Sequence, residues 1–156
     1  MNIEINVDSL KRLHSALQVA PVKVVEGVSL VIKKSLIVLQ SNAIKEAPVN
    51  KQAGGGNLRQ SIKSRMVSSL RGEVWPTALY ALFVEAGTRP HIIRAVNKGG
   101  LANKRTGEFF GKVVHHPGTR ANPFLKRAVE KSKTRIQGYF KDAVITVFEN
   151  IKKEVE

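Results

Sequence analysis

The sequence predicts an α+β fold with two N-terminal helices, an antiparallel β-meander and a long C-terminal helix packed on the sheet. Two observations support this class. Apolar residues recur three and four positions apart at both ends of the chain, which is typical of amphipathic helices. Short apolar runs separated by glycine, proline and asparagine fill the middle, which is typical of strands joined by turns. We expect the 156 residues to form one domain, spanning 1–156.

Pro21 divides the predicted N-terminal helices. Asp8 or Ser9 can cap a first helix that closes before Pro21, and Pro21 suits the first turn of a second helix. The second helix runs until Ala47, where Pro48 stops it. Its stretch 28–39 is rich in β-branched residues that favour strands, but the helical periodicity and the length of the segment favour a helix.

The middle of the chain is predicted to alternate strands with loops. Segments 48–57 and 97–107 are rich in glycine or basic residues and are predicted to be flexible loops. Residues 79–84 form a short apolar run for which periodicity cannot separate a helical turn from a strand. Strands are predicted at 58–67, 73–75, 91–96 and 109–114, the first two of them paired as a hairpin.

A sharp turn precedes the last predicted helix. Pro117 presets φ for the second position of a turn, and Gly118 can take the positive φ that a type II turn needs at its third position. Asn122 is a suitable N-cap, and Pro123 is a suitable first helical residue because its missing N–H would have no partner inside the helix. The chain is therefore expected to reverse at Gly118 and to enter a helix at Pro123.

The final apolar stripe predicts one long helix from Pro123 nearly to Glu156, with Gly138 as the expected site of a bend. Its apolar residues recur at helical spacing, with a gap at Ser132. Phe124 and Leu125 are expected to be buried anchors at its start. A helix of this length needs other elements, or a neighbouring subunit, along its apolar stripe.

The formal net charge of +14 is the most unusual property of the overall composition, and it indicates a polyanionic environment or an acidic partner surface. On a strand, Arg59, Lys63 and Arg65 would share one face. This face is either an ordinary solvated surface or one turned toward DNA or an acidic neighbour. The candidate contacts to DNA or a partner are Arg59, Lys63, Arg65, Arg94, Lys98, Lys104 and Arg105.

The sequence does not predict an enzyme. Gly54–Gly56 lacks the Lys-Ser or Lys-Thr that follows a phosphate-binding loop. His115 and His116 would point to opposite faces of a strand, so they are poorly placed to share a metal with His91 and Glu85. No cysteine is present to supply thiolate ligands. No apolar run approaches the ~20 residues that cross a bilayer, so we expect no membrane association. We therefore expect no catalytic residue, cofactor or metal site.

Three local motifs occur in order along the chain: the first is Pro48 with 56–62, the second is 80–88, and the third, which is the most specific, is 116–125 with Ala128. Together these segments resemble the tail-completion or head-tail joining proteins of long-tailed bacteriophages, which are often labelled minor tail proteins. We call the second and third segments motif A and motif B. Their structural residues are Tyr80, Glu85, Gly87 and Thr88 in motif A, and His116, Pro117, Gly118, Pro123, Phe124 and Leu125 in motif B.

The resemblance implies a structural virion protein at the neck, which forms part of a homo-oligomeric ring around the DNA channel. A hexameric ring is one arrangement that the resemblance allows. Implied partners are other phage tail and neck proteins, namely a tail tube or terminator and a portal-side connector, together with non-specific contact to DNA. The implied location is the virion, after assembly in the host cytoplasm. We also hypothesise that Glu85 pairs with Arg120 and so joins the motifs. The alternative is a non-specific double-stranded DNA-binding protein acting through its basic β-region.

Overall fold

The computed structural model of the protein describes residues 7–49, 55–96, 99–103 and 106–155. In chain order, these residues form helix α1 (Val7–Glu46), helix α2 (Asn57–Ser61), strands β1 (Ile62–Ser68) and β2 (Arg71–Pro76), helix α3 (Ala81–Ala86), strands β3 (His91–Arg94), β4 (Leu101–Ala102), β5 (Phe109–Gly111) and β6 (Val113–His116), and helix α4 (Phe124–Val155). The predicted α+β class is confirmed: in chain order, short antiparallel strands follow a long N-terminal helix and precede a long C-terminal helix.

The N-terminal region is one helix, so the predicted division at Pro21 is wrong. α1 continues through Pro21 to Glu46, close to the predicted stop before Pro48. Proline inside a helix removes one backbone hydrogen bond, but the helical periodicity continues on both sides of it. The prediction of helix over the β-branched stretch 28–39 is confirmed.

The predicted strand 58–67 begins too early, because its first residues form α2. Gly56 precedes α2 with φ 128°, and Leu58 within α2 is buried. The Nε atom of Arg59 donates to the carbonyl of Ala47 at 2.9 Å. The expectation that Arg59 shares a strand face with Lys63 and Arg65 is therefore wrong. Of the loop predicted over 48–57, residues 50–54 lie outside the described residues, and the last position, Asn57, already belongs to α2.

The hairpin β1–β2 packs against α1. Ile62 is buried, and the side-chain amide of Gln40 donates to the carbonyl of Ile62 at 3.0 Å. The hydroxyl of Ser64 donates to the other end of the same Gln40 side chain at 2.7 Å. A Cβ built on Gly72 would lie 2.7 Å from the Leu36 side chain, so α1 and β2 approach closely there.

Within the described residues, the strands do not form one meander but three two-stranded antiparallel sheets, β1–β2, β3–β6 and β4–β5. The predicted strand 109–114 is two strands, because Gly111, the last residue of β5, takes φ 87° shortly before β6 begins. The segment 97–107, predicted to be a loop, contains β4, and the predicted strand 91–96 ends at Arg94.

The chain divides into two compact units. Unit 1 contains α1, α2, the β1–β2 hairpin and α4 from Leu125 onward, and unit 2 contains residues 79–124. α4 begins at Phe124, one residue after the predicted start, and runs without a break to Val155. The prediction of one continuous C-terminal helix is therefore confirmed.

α1 and α4 run antiparallel within unit 1. The Asn42 side chain of α1 donates to the hydroxyl of Ser132 at 2.8 Å, and near the other end of α4 a Cβ on Gly27 would lie 3.3 Å from Val147. Ser132 is fully buried, and its hydroxyl donates to the carbonyl of Ala128. The apparent gap in the apolar stripe is thus a polar contact between the two helices. In the described part of the chain, no helix is long and apolar enough to span a bilayer.

Candidate interaction site

Motifs A and B meet in unit 2 through their Gly-Thr dipeptides. Thr88 and Thr119 form an antiparallel bridge, in which the Thr88 amide donates to the Thr119 carbonyl at 2.9 Å. The reciprocal bond from the Thr119 amide to the Thr88 carbonyl measures 3.1 Å. Farther along, the amide of Asn122 donates to the carbonyl of Val84 in α3 at 2.9 Å. Backbone hydrogen bonds therefore join the two motifs independently of their side chains. We call this contact between Gly87-Thr88 and Gly118-Thr119 the crossing. The predicted Glu85–Arg120 pair stays a prediction.

Each glycine of the crossing faces the backbone of the other motif. Gly87 has φ 73°, and a Cβ built on it would lie 2.4 Å from the carbonyl oxygen of Thr119. Gly118 has φ 87°, and its Cβ would lie 2.3 Å from the carbonyl oxygen of Thr88. Both positions exclude a side chain twice over, through the left-handed φ and through the missing space. The prediction of positive φ at Gly118 is confirmed.

The histidines beside the crossing have defined tautomers. His91 and His116 pair across β3 and β6, and their rings stack with centroids 4.9 Å apart. Nδ1 of His91 donates to the carbonyl of Arg89 at 2.9 Å, because a carbonyl can only accept. Nδ1 of His116 accepts from the amide of Gly118 at 3.0 Å, so neutral His116 carries its proton on Nε2. His116 thus helps to fix the turn that contains Gly118.

The hydrogen bond from Gly118 does not favour metal coordination by His116. A neutral imidazole that coordinates through Nε2 carries its proton on Nδ1, where the Gly118 amide of the chain already points at His116. Among the residues that the structure describes, no three histidine or acidic side chains gather into a group that could hold an ion.

The crossing borders an open cavity of about 620 Å³. The hydroxyl of Thr88 is buried there and has no hydrogen-bond partner among the described residues. The cavity is lined by Phe83, Gly87, Thr88, Arg89, His91, Ile93, His116 and Thr119.

The other predicted motif residues divide between the interior and the surface. Phe124 is fully buried, which confirms its assignment as an anchor, whereas Leu125 is only half-buried. Pro123 and Glu85 are half-buried. Tyr80 and Pro117 are exposed, the latter as expected at a turn.

The predicted basic face is only partly assembled. Lys63 and Arg65 are exposed on β1, and Arg94 is exposed at the end of β3. Glu73 accepts from Arg65 at 3.2 Å and from Arg71 at 2.9 Å, and the Arg65 guanidinium lies 4.9 Å from the Trp75 ring centre. Lys98, Lys104 and Arg105 lie outside the described residues.

Sequence reasoning predicted that a side-chain pair joins the motifs but missed two features, the backbone bridge between the motifs and the contact between α1 and α4. The tripeptide Gly87-Thr88-Arg89, whose first two residues end motif A, recurs as Gly118-Thr119-Arg120 in motif B, and that repeat was the available signal for the bridge. The contact of Asn42 with Ser132 had no comparable signal, because a serine in an apolar stripe is usually a solvated position.

Comparisons of the chain with protein-family models, with curated proteins and with solved structures found no match.

Proposed function

We propose that the chain is a structural subunit of the neck of a long-tailed bacteriophage, a tail-completion or head-tail joining protein that forms part of a ring around the DNA channel. The observation that carries the proposal is the crossing of motifs A and B. The segments that resemble this family meet at one backbone bridge, and the glycine of each leaves room only for the backbone of the other. A shared structural element explains why both segments would occur together in one chain.

Exposed apolar side chains support a role in an assembly. In unit 2, Leu79 is 94% exposed and Val96 is 99% exposed, and Leu82 and Phe109 are also mostly exposed. Such side chains are ordinary when scattered singly, but several in one small unit favour a surface that meets a neighbour. These residues are therefore the proposed contacts to other neck or tail proteins.

The basic residues support a location near DNA. Lys63, Arg65 and Arg94 would reduce repulsion between the protein and phosphates in a channel, and phosphate contacts carry no sequence information. Glu73 offsets part of the charge on the hairpin, because it pairs with both Arg65 and Arg71. The arrangement thus favours passage of DNA over tight retention of it.

A nonsense mutation in the gene for this chain, made in the phage genome that encodes it, tests the proposal. We expect filled heads and complete tails that do not join, with infectivity restored when the wild-type chain is supplied in trans. Electron microscopy of the lysate distinguishes joined from separate particles. Normally joined, infectious particles made without the chain would overturn the proposal.

A second candidate is a double-stranded DNA-binding protein that acts alone. The observation that favours it is the charge of +14 together with exposed cations on both the hairpin and β3. A dedicated binder should hold duplex DNA with micromolar or better Kd at physiological salt. In that case the nonsense mutant would still join its heads and tails.

A further inference from the structure

α4 has two apolar faces, of which only one faces α1. Along the first face, Ala128 and Ser132 are fully buried, and Val147 lies close to Gly27 of α1. The second face lies in the C-terminal half of the helix. There Phe140, Val144 and Phe148 are spaced four apart and all exposed, with Phe148 at 69%.

A second ridge of exposed side chains runs beside the first. Lys141, Ile145 and Glu149 are also spaced four apart, and all three are exposed. Residues four apart on a helix form ridges that can pack between the ridges of another helix. We call the two ridges together, Phe140, Lys141, Val144, Ile145, Phe148 and Glu149, the outer face of α4.

The charge of the outer face differs from that of the whole chain. Segment 140–153 carries Lys141, Lys152 and Lys153 against Asp142 and Glu149, which is almost balanced, whereas the chain carries +14. A nearly neutral apolar surface does not select DNA or a strongly acidic protein. It does allow two copies of this basic chain to approach without strong local repulsion.

We propose that a second copy of this chain binds the outer face of α4, with the two helices antiparallel about a two-fold axis at Ile145. The ridge Lys141-Ile145-Glu149 has a basic residue four positions before its centre and an acidic residue four positions after it. Reversing the second ridge therefore places Lys141 beside Glu149 of the second copy at both ends, with apolar residues between them. The surface is complementary to itself, as a two-fold contact requires.

The size of the outer face sets the strength of the contact. It spans about 13 Å of helix at about 1.5 Å per residue. Two ridges of this length bury less area than the roughly 800 Å² that each partner buries in a standard interface. We expect a reversible dimer that dissociates on dilution. A two-fold contact does not close a ring, so this inference stands apart from the proposed neck function and needs no other phage protein.

Cysteine cross-linking tests the contact, because the natural sequence contains no cysteine. Ile145→Cys would place two thiols near the two-fold axis, where a disulfide can form. Val129→Cys is the matched control, since Val129 lies on the same helix outside the outer face and is 50% exposed, against 46% for Ile145. We expect mild oxidation of the purified chains to produce dimer at least about tenfold faster from Ile145→Cys than from Val129→Cys. Equal rates would overturn the proposal.

Charge reversal tests the register. Sedimentation velocity over a range of concentrations should show that K141E and E149K each weaken the dimer about tenfold. In each variant, residues 141 and 149 of the two copies carry the same charge and face each other at both ends of the contact. The double variant K141E/E149K restores opposite charges and should return close to the wild-type Kd. A double variant as weak as the single variants, or a wild-type chain that stays monomeric at high concentration, would overturn the proposal. Neither outcome bears on whether heads and tails join.

Discussion

Gly118 and Gly111 allow two reasons for a glycine, a positive φ and a lack of space for a Cβ atom, to be tested separately. Both have φ 87°, but a Cβ on Gly118 would lie 2.3 Å from the Thr88 carbonyl oxygen, whereas nothing lies within 4 Å at Gly111. Gly111→Ala should cost only the strained φ, about 1 kcal/mol. Gly118→Ala should cost about 2–4 kcal/mol, because the crossing must also open. Urea denaturation of the two variants measures the difference, and equal losses would show that the close approach is not maintained.

Phe124 is the residue whose burial the sequence predicted most directly. It is fully buried, so Phe124→Ala should lower the free energy of unfolding by about 3–5 kcal/mol. Leu79 provides the control, because it is 94% exposed and its replacement by alanine should cost no more than about 0.5 kcal/mol. A loss below about 1 kcal/mol for Phe124→Ala in thermal or urea unfolding would remove this side chain from the core.

What could be predicted for single residues depended on local chemistry. The positive φ of Gly118 follows from its place after Pro117, and the burial of Phe124 follows from its place at the start of an apolar stripe. The bridge between Thr88 and Thr119 depends on a pairing between distant segments, which periodicity does not report. The burial of Ser132 involves a hydrogen bond from Asn42, which lies 90 positions earlier in the sequence, and no local pattern indicated it.

At the scale of elements, Glu46 joins the end of α1 to the start of α4. Arg127 donates to its carboxylate at 2.8 Å, and Lys131 donates to the other oxygen. The hydrogen bond from Lys131, followed by that from Arg127, lowers the pKa of Glu46 below its ordinary value of 4.5. The carboxylate thus favours the folded state above its unfolded pKa, and that contribution is lost as pH falls through the lowered, folded pKa.

Glu46→Gln should therefore remove part of the pH dependence of stability. We expect the wild-type Tm to fall more steeply than that of the variant as pH drops below about 5, and the two curves to converge in acid. Glu130→Gln is the control, because Glu130 is an exposed carboxylate on α4 beside Lys131, one of the two partners of Glu46. Thermal melts across this pH range measure the effect, and a constant offset between wild type and Glu46→Gln would exclude a titrating contact.

Elements were predictable where periodicity was long, and less so where it was short. The stripe of α4 predicted its continuous course, and the periodicity of 28–39 outweighed its β-branched composition. Pro21 was overweighted, because one missing hydrogen bond does not end a long helix whose pattern continues. The start of β1 was misplaced because Arg59 bonds to a backbone carbonyl outside its own segment, a tertiary contact that strand alternation does not contain.

At the scale of the whole molecule, the charge of +14 predicts salt-dependent DNA binding that is indifferent to sequence. Each phosphate contact contributes about 0.9 to the slope of log K against log salt concentration, so Lys63→Gln should lower that slope by about one unit if Lys63 meets phosphate. Arg71→Gln removes the same charge from the same hairpin, but Glu73 already holds Arg71 at 2.9 Å, so its effect should be smaller. Fluorescence anisotropy with two unrelated duplexes measures both the slope for each variant and the preference for one duplex over the other. Equal slope changes for the two variants would mean that net charge alone governs binding. A preference for one duplex would contradict a channel-lining role, because DNA of any sequence must pass through the neck.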